Sequence, residues 1–305
     1  MKKNGIKPLD WSGDPIFGPL SGHNPHGDAP NIDFILNKDL DISYDNISES
    51  QKLDIYLPNE VKFKKYPVII NIHGGAFFGG DKFDGQLTPM LKALDHGYAV
   101  VSINYRLSPE AKWPAQIYDV MKSIDFVKEN VDKYNLDINN IILWGGSAGG
   151  HLSALSGVLR KDIVAVIDWF GPINFLTMDE EWKIIGIDGE KHSVLNSFES
   201  FLMREQITKI PELLKDTNPE NFITGTKTKF FIQHGKKDKI IPYLQSKNFA
   251  KKLKKEIGEE NVYYEEILEA GHGDKSGLFG SDENLSKIFN FLKKYLSEVV
   301  EWKIN

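Results

Sequence analysis

An α/β architecture is predicted: a mostly parallel central sheet with helices on both faces and a small inserted helical cap. Three observations predict it. Short apolar runs of buried type alternate with segments of helical period along most of the chain, the pattern of parallel strands joined by crossover helices. One run, Ile141 to Trp144, stops in Gly145-Gly146-Ser147-Ala148-Gly149-Gly150 and passes at once into helical spacing at His151, Leu152, Leu155, Val158 and Leu159. From Asn174 to about Asn221 the rhythm breaks into short apolar clusters, a stretch too long for an ordinary connection and suited to a cap.

Composition sets the bounds. The 305 residues can bury one large core, and 41% hydrophobic with 26% charged residues is ordinary for a globular chain. A formal net charge of −6 gives no general attraction to nucleic acid or anionic membrane, so neither partner is expected. The absence of cysteine excludes disulfides, thiolate catalysis and cysteine-based metal sites. The histidines are scattered, with no helical His-x-x-x-His pair, so no metal or other cofactor is expected. Met1 to Pro8 carries charge without an apolar core behind it, and no apolar run approaches the ~20 residues of a membrane helix. A cytoplasmic location is the expectation; the oligomeric state is not encoded in any legible pattern.

Residues 1–38, rich in Gly, Pro, Asn and Asp, read as a surface arm, with His23 and His26 as surface polar groups. The remainder, 39–305, reads as one domain carrying the cap at about 174–221. Asp39 to Tyr44 and Lys52 to Leu57 alternate with period two around Asp45-Asn46 and predict an antiparallel hairpin. Tyr66 to Ile72 is a buried-type strand ending in His73-Gly74-Gly75-Ala76-Phe77-Phe78. A weaker helix near Leu87 to Leu94 closes at Gly97, and Tyr98 to Ile103 is the next strand. Ile117, Val120, Met121, Ile124 and Val127 keep helical spacing, with Pro114 placed to open that helix. After the serine strand and its helix come a strand at Val164 to Trp169, the cap, and a strand at Lys229 to Gln233. A helix near Tyr243 to Ile257, a strand at Val262 to Leu268 and a closing helix from Leu285 to Val299 complete the chain.

The chemistry centres on Ser147. Small residues flank it because a serine at a sharp strand-to-helix turn takes a strained backbone conformation and bulky neighbours would collide. A hydroxyl attacks a carbonyl only if a base takes its proton and a third group orients that base. In a parallel sheet such groups belong in loops at the carboxyl edge, downstream of the serine. Two loops qualify, so Asp238 is the expected acid and His272 the expected base, with Asp274 and His234 as the alternatives. The oxyanion of the tetrahedral intermediate needs donors, and the backbone N–H groups of Gly75, Ala76 and Ala148 are expected to supply them. His73 is expected to brace the glycine loop, and His151 to pack or cap.

Taken together these motifs resemble the α/β-hydrolase superfamily. The closest likeness is to its His-Gly-Gly-type carboxylesterases, the group of hormone-sensitive-lipase-like enzymes and bacterial acetyl- and feruloyl-esterases. The likeness runs from about Lys52 onward. It is carried by Leu53-Asp54-Ile55-Tyr56-Leu57-Pro58, His73-Gly74-Gly75-Ala76, Tyr105 to Glu110 with Trp113-Pro114-Ala115, Gly145 to Leu152, His234-Gly235 with Asp238, and Gly271-His272. One departure stands out: Ala76 followed by Phe77-Phe78 occupies a place where many lipase-like members have a third glycine. A backbone donor survives that change, but the two rings narrow what lies beside it. The resemblance implies the α/β-hydrolase fold and a structural role for Arg106 and Glu110, in agreement with a charge pair bracing a turn.

The expected reaction is hydrolysis of short-chain acyl esters through an acyl-enzyme, with acetyl or feruloyl groups on plant-derived oligosaccharides as candidate substrates. Phe77, Phe78, Trp113, Phe170 and Trp182 are candidate walls of the substrate pocket, while Trp169 reads as core. Aryl formamidases and peptidases use the same triad on amides and form the alternative. A non-catalytic ligand-binding protein on the same scaffold is the alternative of another class.

Overall fold

The computed structural model describes residues 27–273 and 277–296. His23, His26, Asp274 and Val299, singled out above, lie outside the described residues. The strands are β1 (Asn37–Ser43), β2 (Lys52–Leu57), β3 (Tyr66–Ile72), β4 (Ala99–Ile103), β5 (Leu136–Gly146), β6 (Ala165–Trp169), β7 (Lys229–Gly235) and β8 (Val262–Ile267). The main helices are α1 (Leu87–Leu91), α2 (Ala115–Glu129), α3 (Val131–Tyr134), α4 (Ala148–Leu159), α5 (Met178–Ile185), α6 (Phe198–Met203), α7 (Leu244–Ile257) and α8 (Asp282–Tyr295). One eight-stranded sheet runs in the order β1-β2-β4-β3-β5-β6-β7-β8. β1 and β2 pair antiparallel, as do β2 and β4, and every later pairing is parallel.

The alternation of side chains along each strand divides the core. Val68, Ile70 and Ile72 of β3 face a layer built from Val120, Ile124 and Val127 of α2, Leu152 and Leu155 of α4, and Phe249 and Leu253 of α7. Ile69 of β3, Trp144 of β5, Ile167 and Trp169 of β6 and Phe231 of β7 face the other layer, made by Met90 of α1 and Leu285, Ile288, Phe289 and Leu292 of α8. Strands buried on both faces read as unbroken apolar runs, which is why β3, β4 and β6 are legible without alternation. Each fully buried Val, Leu or Ile contributes on the order of 1.5–3 kcal/mol relative to exposure.

Parallel register then aligns the strand ends. Ile72 lies beside Gly145, Gly146 beside Trp169, Trp169 beside Gln233, and Gly235 beside Ile267. The loops that follow β3, β5, β7 and β8 therefore emerge along one edge, the setting in which an open α/β sheet binds its ligands.

Between β6 and β7 the chain forms α5, α6 and three short 3-10 turns. Ser197 caps α6, its hydroxyl accepting the Ser200 N–H at 3.1 Å. Gln245, at the start of α7, anchors the insertion: its carbonyl accepts the N–H groups of Ile173 and Asn174, and its amide donates to Thr177 and Glu181.

The expected Arg106–Glu110 pair does not form. Arg106 instead makes a two-pronged contact with the buried Asp119 of α2, at 2.9 Å from Nε and 2.7 Å from Nη2, while Glu110 accepts the hydroxyls of Ser48 and Ser50. A planar guanidinium matches the planar carboxylate that α2 presents, whereas Glu110 sits on the exposed side near the β1–β2 turn.

Candidate active site

The turn between β5 and α4 is tight because three backbones converge on it. Ser147 takes φ 55° and ψ −123°, outside the comfortable range for a residue with a Cβ, and its N–H donates to Trp169 O at 2.9 Å. Gly149 runs against β3, where an added Cβ would fall 1.9 Å from Ile72 O and 2.8 Å from His73 O. Gly149→Ala should therefore cost about 3 kcal/mol or more, since neither strand nor helix can retreat. A melting temperature within about 2 °C of the parent would contradict that packing.

Beneath the turn lies Asp168, fully buried on β6. Its Oδ1 accepts the Gly171 N–H at 3.0 Å, and its Oδ2 has no partner among the described residues. Burial pushes this carboxyl from an ordinary 3.8 up to about 7, against a smaller opposing effect of the Gly171 hydrogen bond. Between those two values the folded chain holds a proton that the unfolded chain has released, so stability falls as pH rises across that window. Asp168→Asn should gain on the parent in urea midpoint between about pH 4.5 and pH 7.5. Parallel midpoints at both values would show that Asp168 carries no such linkage.

The structure brings Ser147, His272 and Asp238 together. His272 Nε2 lies 3.0 Å from Ser147 Oγ, and His272 Nδ1 lies 2.8 Å from Asp238 Oδ2. Because Nδ1 faces a carboxylate it holds the ring proton in the neutral imidazole, which leaves Nε2 free to accept from the hydroxyl. Asp238 is wholly buried, and its Oδ1 accepts the N–H groups of Ile240 at 2.8 Å and Ile241 at 2.9 Å. Burial opposes ionisation of Asp238, yet the imidazoles of His272 and His234 outweigh it and hold the carboxyl well below the usual range. Ser147 keeps 9% exposure and His272 is half-buried, so the hydroxyl is within reach of a small ligand.

His234, the alternative base, sits at the end of β7 with Nε2 3.2 Å from Asp238 Oδ2 and Nδ1 2.7 Å from Ser246 Oγ. It is a second imidazole on the acid, turned toward Asp238 and α7. Asp274, the alternative acid, lies outside the described residues.

The glycine loop runs beside the serine: a Cβ on Gly74 would lie 3.2 Å from Ser147 Cβ. Gly75 has φ 111°, and a side chain there would strike Gly79 O at 2.1 Å, so glycine is required. Ala76 and Phe77 also hold positive φ, 54° and 59°, so this loop, like the turn at Ser147 and Phe170 after β6, carries strain on non-glycine residues. Among the described residues the N–H groups of Gly75 and Ala76 donate to no acceptor, and Ala148 is the first residue of α4, where helix geometry leaves an N–H unpaired. His73 braces the loop: Nδ1 lies 2.7 Å from Gly74 O, and the ring stacks on Tyr105 at 4.5 Å. Gln86 is a brace that sequence reasoning missed. Its Oε1 accepts the Gly74 N–H at 3.0 Å, while Asp84 turns its amide by accepting from Nε2 at 3.2 Å.

The candidate wall residues separate into groups. Phe170 packs its ring edge against His272, with centroids 4.9 Å apart. Phe77 and Trp113 meet the His151 ring edge-on, and Phe175 stacks on it at 4.9 Å. His151 is wholly buried with Nδ1 2.8 Å from Pro172 O, and burial pushes it down to about 4, so it packs as a neutral ring. Phe78 is half-buried between Phe198 and Phe201 of α6. Trp182 is fully buried, with Gly189 against its ring.

Residues 53–253 match the family model described as BD-FAE. The chain belongs to the BD-FAE family. It is accordingly an α/β hydrolase of the carboxylesterase group that its motifs resemble, and the sheet order agrees. Esterase LipC of Mycobacterium tuberculosis is 29% identical over 238 residues, 73% of this chain and 57% of the relative. Esterase LipQ of the same organism is 30% identical over 247 residues, 76% of this chain and 56% of the relative. The chain thus spans little more than half the length of these relatives. Among solved structures, a truncated carbohydrate esterase from gut microbiota superposes with TM-score 0.76 at 30% identity, covering 88% of this chain and 99% of that one. A bifunctional GH43-CE protein of Bacteroides eggerthii gives TM-score 0.75 at 30% identity, covering 85% of this chain and 35% of that one.

Proposed function

We propose that the protein is a serine carboxylesterase that hydrolyses short-chain acyl esters through an acyl-enzyme. The observation that carries this reading is the continuous chain from Ser147 Oγ through His272 to the buried Asp238, with spacings of 3.0 and 2.8 Å. Ser147 attacks the ester carbonyl while its proton passes to His272 Nε2. The N–H groups of Gly75, Ala76 and Ala148 receive the oxyanion, and the imidazolium returns its proton to the departing alcohol. Water then repeats the sequence on the acyl-enzyme, releasing the acid and restoring Ser147. Preorganised backbone donors suit this task because they need not reorient as charge develops.

The preferred substrate is an acetyl or feruloyl ester of a plant-derived oligosaccharide. Two features support it. The gut-microbiota carbohydrate esterase aligns over nearly its whole length, and the half-buried rings of Phe78, Phe198 and Phe201, inclined to one another by 59° and 68°, offer an aromatic rim beside the glycine loop. Phe77, Trp113 and Phe170 are buried and close the adjoining space, which favours a small acyl group. In this reading residues 174–221 act as a cap over the serine edge, and the protein works in the cytoplasm on a small-molecule or oligosaccharide ester. Among the described residues no helix is long and apolar enough to cross a membrane.

A panel of acetylated xylo-oligosaccharides, feruloyl esters, p-nitrophenyl acetate, p-nitrophenyl octanoate and N-formylkynurenine tests the assignment. Acetyl esters should show a kcat/KM at least about tenfold above the octanoate, the scale of one or two misplaced methylenes. Faster turnover of N-formylkynurenine than of any ester would point to an amidase instead.

A further inference from the structure

The insertion carries a buried ion pair that the reaction as derived does not use. His192, 3% exposed, and Glu199, 6% exposed, face each other with Nδ1 3.0 Å from Oε1. The second ring nitrogen, Nε2, lies 2.9 Å from the carbonyl oxygen of Ile240. Both nitrogens thus face oxygens, an arrangement satisfied by a ring protonated on both opposite an ionised Glu199. Burial disfavours the charged ring, but Glu199 outweighs it and raises His192 above an ordinary histidine. The carboxylate of Asp179 accepts the backbone N–H groups of His192 at 2.8 Å and Ser193 at 3.0 Å, so the segment that bears the ring is itself pinned. One further backbone bond, Glu190 N–H to Lys239 O at 3.0 Å, docks the same segment on the same loop.

The Ile240 carbonyl belongs to the peptide unit whose N–H is that of Ile241, and that N–H donates to Asp238 Oδ1 at 2.9 Å. A donor on the carbonyl polarises the peptide and strengthens the bond its N–H makes on the other side. From the structure we infer that His192, charged by Glu199, is a positioning residue: it holds the Ile240–Ile241 peptide against Asp238 and so ties the seating of the insertion to the orientation of His272. The inference rests on the triad reading above, since its effect is exerted through Asp238. His192 touches no reacting atom. Its removal leaves the substrate cleft intact and lets the acid loop shift, and a small error in the orientation of the base is read directly in turnover.

A double-mutant cycle separates this role from simple destabilisation. For p-nitrophenyl acetate, His192→Leu should lower kcat about tenfold with KM within about twofold, and His192→Gln, which restores one donor toward Ile240, should recover part of the loss. The rate of Ser147 phosphonylation by a fluorophosphonate is the common readout of the cycle: His192→Leu should slow it about tenfold in the parent and less than about twofold in an Asp238→Asn background, because the link it serves is already broken. An equal loss in both backgrounds, or an unchanged kcat in folded His192→Leu, overturns the inference while leaving the triad in place. If His192→Leu does not accumulate as folded protein, Glu199→Gln is carried through the same cycle with the same criteria. An Asp238→Asn variant as active as the parent would instead remove the triad itself, and the positioning role with it.

Discussion

Ser147→Ala should lower kcat by about 10⁶, the scale found where a triad serine is removed, with KM for p-nitrophenyl acetate little changed. The hydroxyl is the only atom lost, and alanine keeps the small Cβ that the turn already accommodates at φ 55°. The Gly74 backbone, close enough that its own Cβ would lie 3.2 Å from that of Ser147, need not move. Folding and binding should therefore persist while chemistry stops. A residual rate within tenfold of the parent would mean that another group is the nucleophile.

Asp238→Asn should cost about 10⁴ in kcat, for a reason visible in the four groups that face the carboxylate. The Ile240 and Ile241 N–H groups both point at Oδ1, so the asparagine oxygen must occupy that place. Its NH₂ is then left facing His272 Nδ1 and His234 Nε2, 2.8 and 3.2 Å from the present oxygen. A donor facing Nδ1 favours the tautomer protonated on Nε2, which points a hydrogen at Ser147 instead of a lone pair. The variant should fold, and its kcat should drop with little change in KM. A loss below tenfold would place the orienting role elsewhere.

Much of the fold was legible because its signals are local. Strands such as Tyr66–Ile72, buried on both faces, write themselves as apolar runs, and the Gly-Gly-Ser-Ala-Gly turn marks where the sheet hands over to α4. Given a parallel sheet, the loops after β7 and β8 had to share an edge with that turn, and this singled out Asp238 and His272. The first strand was less clear: β1 opens at Asn37, two residues before the alternation begins, because its side chains are mostly exposed. Contacts that join distant polar residues left no such trace. Arg106 could pair with Glu110 four residues on or with Asp119 thirteen on, and only the three-dimensional course of α2 decides for Asp119. Gln86 and His192 sit in segments without period, and their partners, Gly74 and Ile240, are backbone groups that any residue could supply.

In the proposed mechanism the Ser147 hydroxyl owes its nucleophilicity to His272. Treatment of the parent, His272→Ala and Ser147→Ala proteins with a fluorophosphonate, followed by peptide mapping of the adduct, tests it most directly. One adduct is expected, on Ser147, formed quickly in the parent, slowed by orders of magnitude in His272→Ala and absent in Ser147→Ala. An adduct on a different residue, or equal labelling rates with and without the His272 imidazole, would contradict it.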